Sequence, residues 1–595
     1  MRTVIRVFLV VALVAALLLP MLPVSKYQLH VANLIVVNAI LAMSLDLLFG
    51  YLGQMSLAHA GFYGVGAYAA ALLTLNGVSF WIATPSAMVV CAALGALLGL
   101  PAMRLTGFYL AMATMSFGII LSTLFVQSVD LTGGPNGLLG IAPPSFFGTE
   151  LIGPVRGVVG NYYYLLLAAG LLVWFVLRRL TTGRPGRIIV GVRDSALAAA
   201  SLGIDVRRVQ VGVFALSCAI AGLAGSLYAH LILYISPDTF TFTNSLLALL
   251  SVVFGGIGTL WGPVIGAGLL TVLGEALHSF GAYELIVYAA AICLVILVVP
   301  HGVSGLFKRF LQPPSAPSTT VLATPALAIT AGVAPPIGEE LFRLEGISKR
   351  FGGVQALDDV SLSVRRREIK ALIGPNGSGK TTLFNCATGF QVPDSGRRWM
   401  EGRDLTGAGA HRIAQAGIAR SFQVVQLFGR MTTHENVVLA GQAQHPAHPA
   451  AVLLGLPSAH AADRANDAAA DRLIAEAGLA AYRDQDAAVL PYGRQRLLEI
   501  ARALALRPKL LLLDEPAAGL NTAEAFELAA YLRRVRATGV SILIVEHNMP
   551  FVLGLADSVA VLNQGRKIAD GPPELVRQDE AVVSAYFGPA LPEAA

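Results

Sequence analysis

Charge is divided so unevenly along this chain that its two parts cannot share one kind of environment. Residues 1–310 hold 14 Lys/Arg and 8 Asp/Glu, whereas the remaining 285 residues hold 28 of each sign. Ordinary soluble domains carry roughly 25% charged residues; this chain carries 13%, with 55% hydrophobic. The first part therefore reads as membrane-embedded and the second as soluble. The whole excess of +6 lies in the first part (14 minus 8), so it bears on topology and does not form a basic surface for nucleic acid. Cys91, Cys218 and Cys293 lie in apolar runs and Cys386 in the soluble part, which is no disulfide framework.

Apolar blocks of spanning length fall near 4–23, 31–49, 80–103, 107–129, 161–177, 211–234 and 282–300. The first is expected to be a retained helix and not a signal peptide, because no small-x-small cleavage site follows it. Residues 50–76 and 244–277 are apolar but broken by glycines, among them Gly50, Gly53 and Gly61, then Gly255, Gly256 and Gly258. Breaks of this kind accompany either a translocation pathway or close helix packing, and the residues leave both readings open. Seven arginines in loop 178–209, against Asp194 and Asp205, put that loop on the cytoplasmic side. Parity from there gives a cytoplasmic N-terminus and about eight to ten spans. Within the loop, Ala198, Ala199 and Ala200 precede Gly203. That reads as a short smooth helix, suited to docking in a groove of a soluble partner. Asp46, Gln54, His59, Gln127, Glu275, His278 and Glu284 lie in apolar surroundings; each is either a solute-contact candidate or a hydrated helix end.

Residues 311–338 are rich in Pro, Ala, Ser and Thr and carry no charge, which is a tether. The expected division is therefore a membrane domain at 1–310, a linker at 311–338 and a soluble domain at 339–588.

The soluble part is organised around Gly374-Pro375-Asn376-Gly377-Ser378-Gly379-Lys380-Thr381, with Thr382 next. The apolar run Ile369–Ile373 before it predicts a strand, and a helix is predicted from Thr382. Strand, glycine-rich turn and helix N-terminus together make a phosphate-binding loop. Lys380 is the point charge for the β- and γ-phosphates, and the Thr381 hydroxyl is a Mg²⁺ ligand. Leu510–Leu513 predicts a buried strand ending in Asp514, placed to hold Mg²⁺ through water, and Glu515, placed to polarise an attacking water. Ser541–Val545 predicts another strand, ending in Glu546 and His547, with His547 a candidate γ-phosphate sensor. Phe351 either stacks on an adenine face or fills the core. Leu490-Pro491-Tyr492-Gly493-Arg494-Gln495-Arg496 opens a helical run with Pro491 in its first turn. A second anion-type helix terminus in one domain suggests service to a nucleotide held by another subunit.

These residues resemble the ATP-binding cassette (ABC) family. GPNGSGKT is similar to its phosphate loop, Gln423 to its Q-loop, LPYGRQR to its signature and Ala518–Asn521 to its D-loop. The membrane half, with NAILAMSLDLLFGYLGQMSLAHAGFYGVGAYAAALL, is similar to a permease subunit of bacterial branched-chain amino acid importers, so the chain resembles a fusion of permease and ATPase.

The resemblance implies a polytopic α-helical membrane domain followed by an α/β P-loop cassette. It implies ATP hydrolysis with Glu515, His547 and Gln423 catalytic, ATP at Phe351 and residues 374–382, and Mg²⁺ at Thr381, Gln423 and Asp514. It also implies a signature of Tyr492, Gly493, Arg494 and Gln495 offered to a partner cassette, and a coupling loop at Ala198, Ala199 and Gly203. The implied partners are a second permease and a second ATPase subunit (or a second copy of this chain), a periplasmic solute-binding protein and membrane lipid. The implied location is the bacterial inner membrane, with the cassette cytoplasmic. Against the family's general pattern, Pro491 replaces a serine, Arg494 a glutamine, and Leu197 the glutamate common in coupling helices. The two ATP sites of an assembly are therefore expected to be unequal. Other amino acids, amides or urea are alternative solutes, and an exporter or flippase is the reading from another class.

Overall fold

The computed structural model describes residues 14–277 and 337–587, apart from 106, 147–148, 152–155, 445–447, 449–450 and 453–454, together with positions 290, 293 and 302. The first half of the block at 4–23, the block at 282–300, His278, Glu284 and nearly all of the tether lie outside the described residues. Contacts divide the chain into two units, Met1–Ile189 with Arg207–Thr319, and Val190–Val206 with Thr320–Ala595. The second unit thus includes a piece of the loop expected at the cytoplasmic face.

In the first unit, α1 (Lys26–Asp46) is capped by Ser25 in a capping box with Gln28 and runs into a π-helical turn at Leu47–Tyr51. Irregular backbone follows until α2 (His59–Leu75). Then come α3 (Phe80–Ala102), α4 (Phe108–Gln127), α5 (Arg156–Thr181) and α6 (Val206–Ile232). Among the described residues five helices are long and apolar enough to cross a membrane, at Lys26–Tyr51, Phe80–Ala102, Phe108–Gln127, Tyr162–Thr181 and Val206–Ile232.

The block at 244–277 resolves into α7 (Phe242–Gly255) and α8 (Gly262–Leu277). At 1.5 Å per residue these reach about 21 and 24 Å, short of the roughly 30 Å hydrocarbon core. They pack as a hairpin with backbones in contact. A Cβ on Gly255 would stand 1.7 Å from the Gly262 carbonyl oxygen, and one on Gly266 1.8 Å from that of Ser251. Gly225 likewise admits α2 against α6, its Cβ position lying 1.9 Å from Tyr63 O. Close packing therefore accounts for these glycines.

Gly50 and Gly258 do something else. The two broken segments meet at the buried Asp46, whose Oδ1 accepts a hydrogen bond from Gly258 N–H at 2.8 Å, with Gly50 crowded against both. Unpaired backbone is costly where water is excluded, and the Asp46 carboxylate satisfies one such group. Two other polar suspects also have partners: His59 Nε2 lies 2.8 Å from Ser217 Oγ, and Glu275 accepts from the Tyr27 hydroxyl.

The second unit holds two sheets. An antiparallel one is built from β1 (Glu340–Phe351), β2 (Val354–Arg365), β4 (Ser395–Met400) and β5 (Arg403–Asp404), in the order β2-β1-β4-β5. The other contains β3 (Ile369–Ile373), β6 (Ile418–Arg420), β7 (Leu510–Asp514), β8 (Ser541–Val545), β9 (Ser558–Asn563) and β10 (Arg566–Gly571). Its order is β6-β7-β8-β3-β9-β10, parallel except for β10. Every residue of β3, β7 and β8 is buried, as expected of parallel strands covered on both faces. Phe342, Leu344, Leu372, Leu512 and Leu543 share one core between the sheets.

Two helix starts differ from expectation. The helix after the phosphate loop, α9 (Lys380–Thr388), begins two residues before Thr382, because Gly379 takes the left-handed conformation as N-cap (φ +100°). Pro491 stands outside α12 (Tyr492–Leu504) as its N-cap, with extended ψ of 147°, and so is not in the first turn. The helices α10 (Thr433–Gly441) and α11 (Pro457–Glu476) precede α12, and α13 (Thr522–Ala537) and α14 (Glu580–Phe587) follow it.

Candidate functional site

Neighbouring strands deliver the site. Because β7, β8 and β3 are adjacent and parallel, their C-terminal ends bring Asp514–Glu515, Glu546–His547 and Gly374 to one edge. This is where open α/β sheets bind ligands.

The phosphate loop, Gly374 to Thr381 with Thr382, is shaped by close approach. A Cβ at Gly374 would lie 2.1 Å from Leu562 O, and one at Gly379 2.5 Å from Ala356 O. The loop is pinned from below by Gly565 N–H, which donates to Ser378 O at 3.0 Å. Pro375 is half-buried, Asn376 and Gly377 are exposed at the tip, and Thr381 and Thr382 sit in the first turn of α9. Lys380 is buried, and its ammonium donates to the carbonyls of Gly374 and Pro375, both at 2.9 Å. Burial holds its pKa below the ordinary lysine value, while Glu515 and Asp514 pull it back up. Phe351 ends β1 at the hairpin tip and is 45% exposed, with Lys349 Nζ 5.7 Å from its ring. That exposure rules out the core-filling reading.

Glu515 is the meeting point of the three expected catalytic side chains. Gln423 Nε2 donates to Glu515 Oε2 at 3.1 Å, and His547 Nε2 lies 3.2 Å from Oε1. The Glu515 backbone is left-handed at φ +46°, a strained setting for a non-glycine residue, and its N–H is held by Val545 O at 2.8 Å. Asp514, one residue earlier, is buried, with Oδ2 3.3 Å from Arg420 Nη2. Burial pushes its pKa up and Arg420 opposes the shift.

Thr381, Gln423 and Asp514 offer a hydroxyl, an amide and one carboxylate. Among the described residues no cluster of three His, Cys, Asp or Glu forms a protein-only metal cage. Such an oxygen-only, ligand-poor set fits Mg²⁺, which keeps waters and phosphate oxygens in its shell.

The signature residues lie elsewhere. Tyr492 packs its ring on Gly519, and a Cβ on Gly493 would meet Glu524 Oε1 at 2.7 Å. Arg494 Nη1 pairs with Glu527 Oε1 at 2.8 Å, and Gln495 Nε2 donates to Leu490 O at 2.9 Å. Arg494 thus spends its charge on α13. Among the described residues no hydrogen bond joins these four to the phosphate loop.

The piece of loop within the second unit is seated on the cassette. A helix at Ala196–Ser201 is capped by Ser195 and ended by Gly203 at φ +81°. Gly203 N–H bonds Ala200 O and Ile204 N–H bonds Ala199 O, at 3.1 and 3.2 Å, the double closure of a Schellman turn. Ala198 and Ala199 are fully buried. Ser195 Oγ donates to Gln426 Oε1 at 2.9 Å, Gln415 Nε2 donates to Gly203 O at 2.9 Å, and Arg430 N–H donates to Asp194 Oδ2 at 3.0 Å. Gln426 is three residues beyond Gln423, so one short segment contacts both the seated loop and the Glu515 carboxylate. Leu197, where a glutamate is common, is 52% exposed.

Residues 27–299 match the family model of the permease component of the branched-chain amino acid transport system, and 357–518 match that of the ABC transporter. Residues 566–588 match that of the branched-chain amino acid ATP-binding cassette transporter. The high-affinity branched-chain amino acid transport ATP-binding protein BraF of Pseudomonas aeruginosa is 39% identical over 251 residues, 42% of this chain and 98% of that protein. The corresponding protein LivG of Salmonella typhimurium is 44% identical over 260 residues, 43% of this chain and all of LivG. The permease protein LivM of Escherichia coli is 35% identical over 326 residues, 52% of this chain and 76% of LivM. This chain belongs to the ABC transporter family. It joins a multi-pass permease region and an ABC ATPase in one polypeptide.

Three buried ions of this ABC cassette carry geometry that the motifs did not announce. Arg496, fully buried, donates to Phe422 O (2.6 Å), Gln423 O (2.9 Å) and Glu515 O (3.1 Å) while pairing with buried Glu499 at 3.0 Å. Arg420 lies among the rings of Phe384, Phe390 and Phe422, 5.0 to 5.6 Å from their centroids. Glu546 accepts from Ala517 N–H at 2.7 Å and His547 N–H at 3.0 Å, linking the segment after Glu515 to His547. The available signal was a charged residue bordering an apolar stretch: Arg496 precedes Leu497–Leu498, Arg420 follows Ile418–Ala419 and Glu546 follows Val545.

Proposed function

We propose that this chain is one half of an ATP-driven importer for branched-chain amino acids. In this reading it lies in a bacterial inner membrane with its cassette in the cytoplasm. A second cassette, on another chain or another copy, completes each ATP site with its signature. A second permease completes the path, and an external solute-binding protein delivers the substrate. The observation that carries the reading is the convergence of Gln423 and His547 on Glu515, with Gln426 of the same segment holding Ser195 of the permease-derived loop.

In the proposed cycle Lys380 and the loop N–H groups bind the β- and γ-phosphates, and Phe351 stacks on the base. Glu515 orients the attacking water and His547 reports on the γ-phosphate. Thr381, Gln423 and Asp514 would hold Mg²⁺, which supplies charge neutralisation at the phosphate oxygens when bound. The 423–426 segment then passes the presence of the γ-phosphate to the Ala196–Ser201 helix, and closure switches the membrane path. Unequal ATP sites follow from Pro491, which cannot offer the hydroxyl of a serine to a partner's nucleotide.

The test is uptake of radiolabelled leucine into proteoliposomes holding the assembled transporter, with and without a candidate binding protein. Uptake that needs ATP and the binding protein, and is lost in Lys380→Ala and Glu515→Gln, is expected. Uptake independent of the binding protein, or ATP turnover surviving either substitution, refutes the proposal.

A further inference from the structure

One cavity in the cassette lies far from the nucleotide edge. It measures about 640 Å³, within the roughly 300–1,000 Å³ range of small-molecule sites. Its wall includes the residues just before three parallel strands, Arg367, Lys509 and Val540, ahead of β3, β7 and β8. It is therefore about one five-residue strand, roughly 16 Å, from the phosphate loop. Helix ends from α11 and α12 close one side through Leu473 and Leu504, and α13 closes the other through Tyr531 and Val535.

Five cations line it: Arg366, Arg367, Arg507, Lys509 and Arg534. Glu476 is the one carboxylate in the lining, and Glu401 outside it pairs with both Arg366 and Lys509. Among the described residues the side chains of Arg367 and Arg507 make no ion pair. Both of these arginines also have left-handed backbones, φ +62° and +51°, so each is held at a turn and not on a freely sliding helix face. Behind the cations the floor is apolar, from Leu341, Leu473, Leu504 and Val535. One polar atom is stranded there: the hydroxyl of Tyr531, a residue only 3% exposed, has no hydrogen-bond partner. The tether reaches the cassette at the same rim, where Gly338 N–H donates to Arg366 O at 2.9 Å.

We propose that this cavity is a second ligand site, separate from the ATP site, for a phosphorylated small molecule of about mononucleotide size. Guanidinium forks match phosphate oxygens in geometry as well as charge. The volume and the apolar floor exceed what a bare anion would fill. A molecule bound here touches both the far end of α12, the helix that opens with the signature residues, and the near ends of the parallel strands.

AMP is the probe, measured by calorimetry on the full-length chain in nanodiscs at low salt, in the Lys380→Ala background so that the phosphate loop does not compete. Saturable AMP binding is expected, weakened about 10-fold or more when Arg367→Glu and Arg507→Glu are added, with adenosine binding at least about 10-fold more weakly than AMP. Both arginines are exposed. With Lys380 intact, the Arg367→Glu/Arg507→Glu chain in the assembled transporter is expected to keep its basal ATP turnover, which reports its folding. No AMP binding, or binding indifferent to the charge reversals, overturns the proposal. Pyrophosphate binding as tightly as AMP does so too, because it reduces the cavity to a bare-anion patch, as does adenosine binding equally well.

Discussion

Replacing Arg496 by lysine separates holding the Glu515 carboxylate, proposed to be catalytic, from holding the nucleotide. The guanidinium reaches three carbonyls, of Phe422, Gln423 and Glu515, at 2.6 to 3.1 Å, and Glu499 at 3.0 Å. A lysine ammonium preserves the charge opposite Glu499, avoiding the penalty of about 3–5 kcal/mol for orphaning a buried partner. It is a point donor, however, and cannot span the carbonyls on both sides, so about two charge-assisted hydrogen bonds of roughly 1.5–3 kcal/mol each are lost before relaxation. Gln423 and Glu515 then no longer share an anchor, and misplacement of a reacting group by about 1 Å costs on the order of 100-fold.

We expect kcat for ATP in the assembled transporter to fall about 30- to 100-fold, or roughly 2–3 kcal/mol. The KM for ATP should stay within about twofold, because no hydrogen bond joins Arg496 to the phosphate loop and binding common to ground and transition states is preserved. The assay is steady-state ATP hydrolysis in proteoliposomes over a range of ATP concentrations. A kcat within about threefold of the parent, or a raised KM at constant kcat, would show that the carbonyl clamp does not position Glu515.

Two further expectations concern the loop and the membrane junction. Gly203→Val forces a β-branched residue into φ +81° with Gln415 Cγ 3.2 Å from the new Cβ; at a cost of about 1–3 kcal/mol, leucine uptake is expected to fall while ATP binding to the full-length chain stays unchanged, and unimpaired uptake would refute the docking role. Asp46→Leu removes the acceptor for Gly258 N–H, worth about 1–3 kcal/mol in a buried setting, whereas Asp46→Asn keeps one; uptake lost in the first and largely retained in the second is expected, and equal loss in both would point to the charge itself.

Much of the cassette was legible because its chemistry is local. Ile369–Ile373, Leu510–Asp514 and Ser541–Val545 are strands over the same residues that their apolar runs marked, since strands buried on both faces leave no alternation to misread. Helix starts were less legible. Whether α9 opens at Lys380 or Thr382 is decided by a single backbone torsion at Gly379, and whether Pro491 lies inside a helix by its ψ of 147°. The glycines of the membrane half were ambiguous for another reason. Gly255 and Gly266 are defined by the backbone they admit, while Gly50 and Gly258 are defined by meeting at Asp46, which is 212 residues from Gly258 in sequence. Arg496 was quoted within a motif, yet its function is to bond carbonyl oxygens, which have no letter in a sequence.

The left-handed backbone of Glu515 sets the direction in which such a cassette decays. At φ +46° glycine is the relaxed occupant, so exchanging the carboxylate for glycine would, on the proposed role of Glu515, end hydrolysis while relieving strain of about 1–3 kcal/mol. A transporter gene drifting through that change would yield a chain that folds at least as well and escapes quality control. Its product would still be made and inserted, a silent subunit competing for partners with working ones. The backbone torsion exerts no pressure to retain glutamate at this position; on the proposed function, the work of the ATP site does.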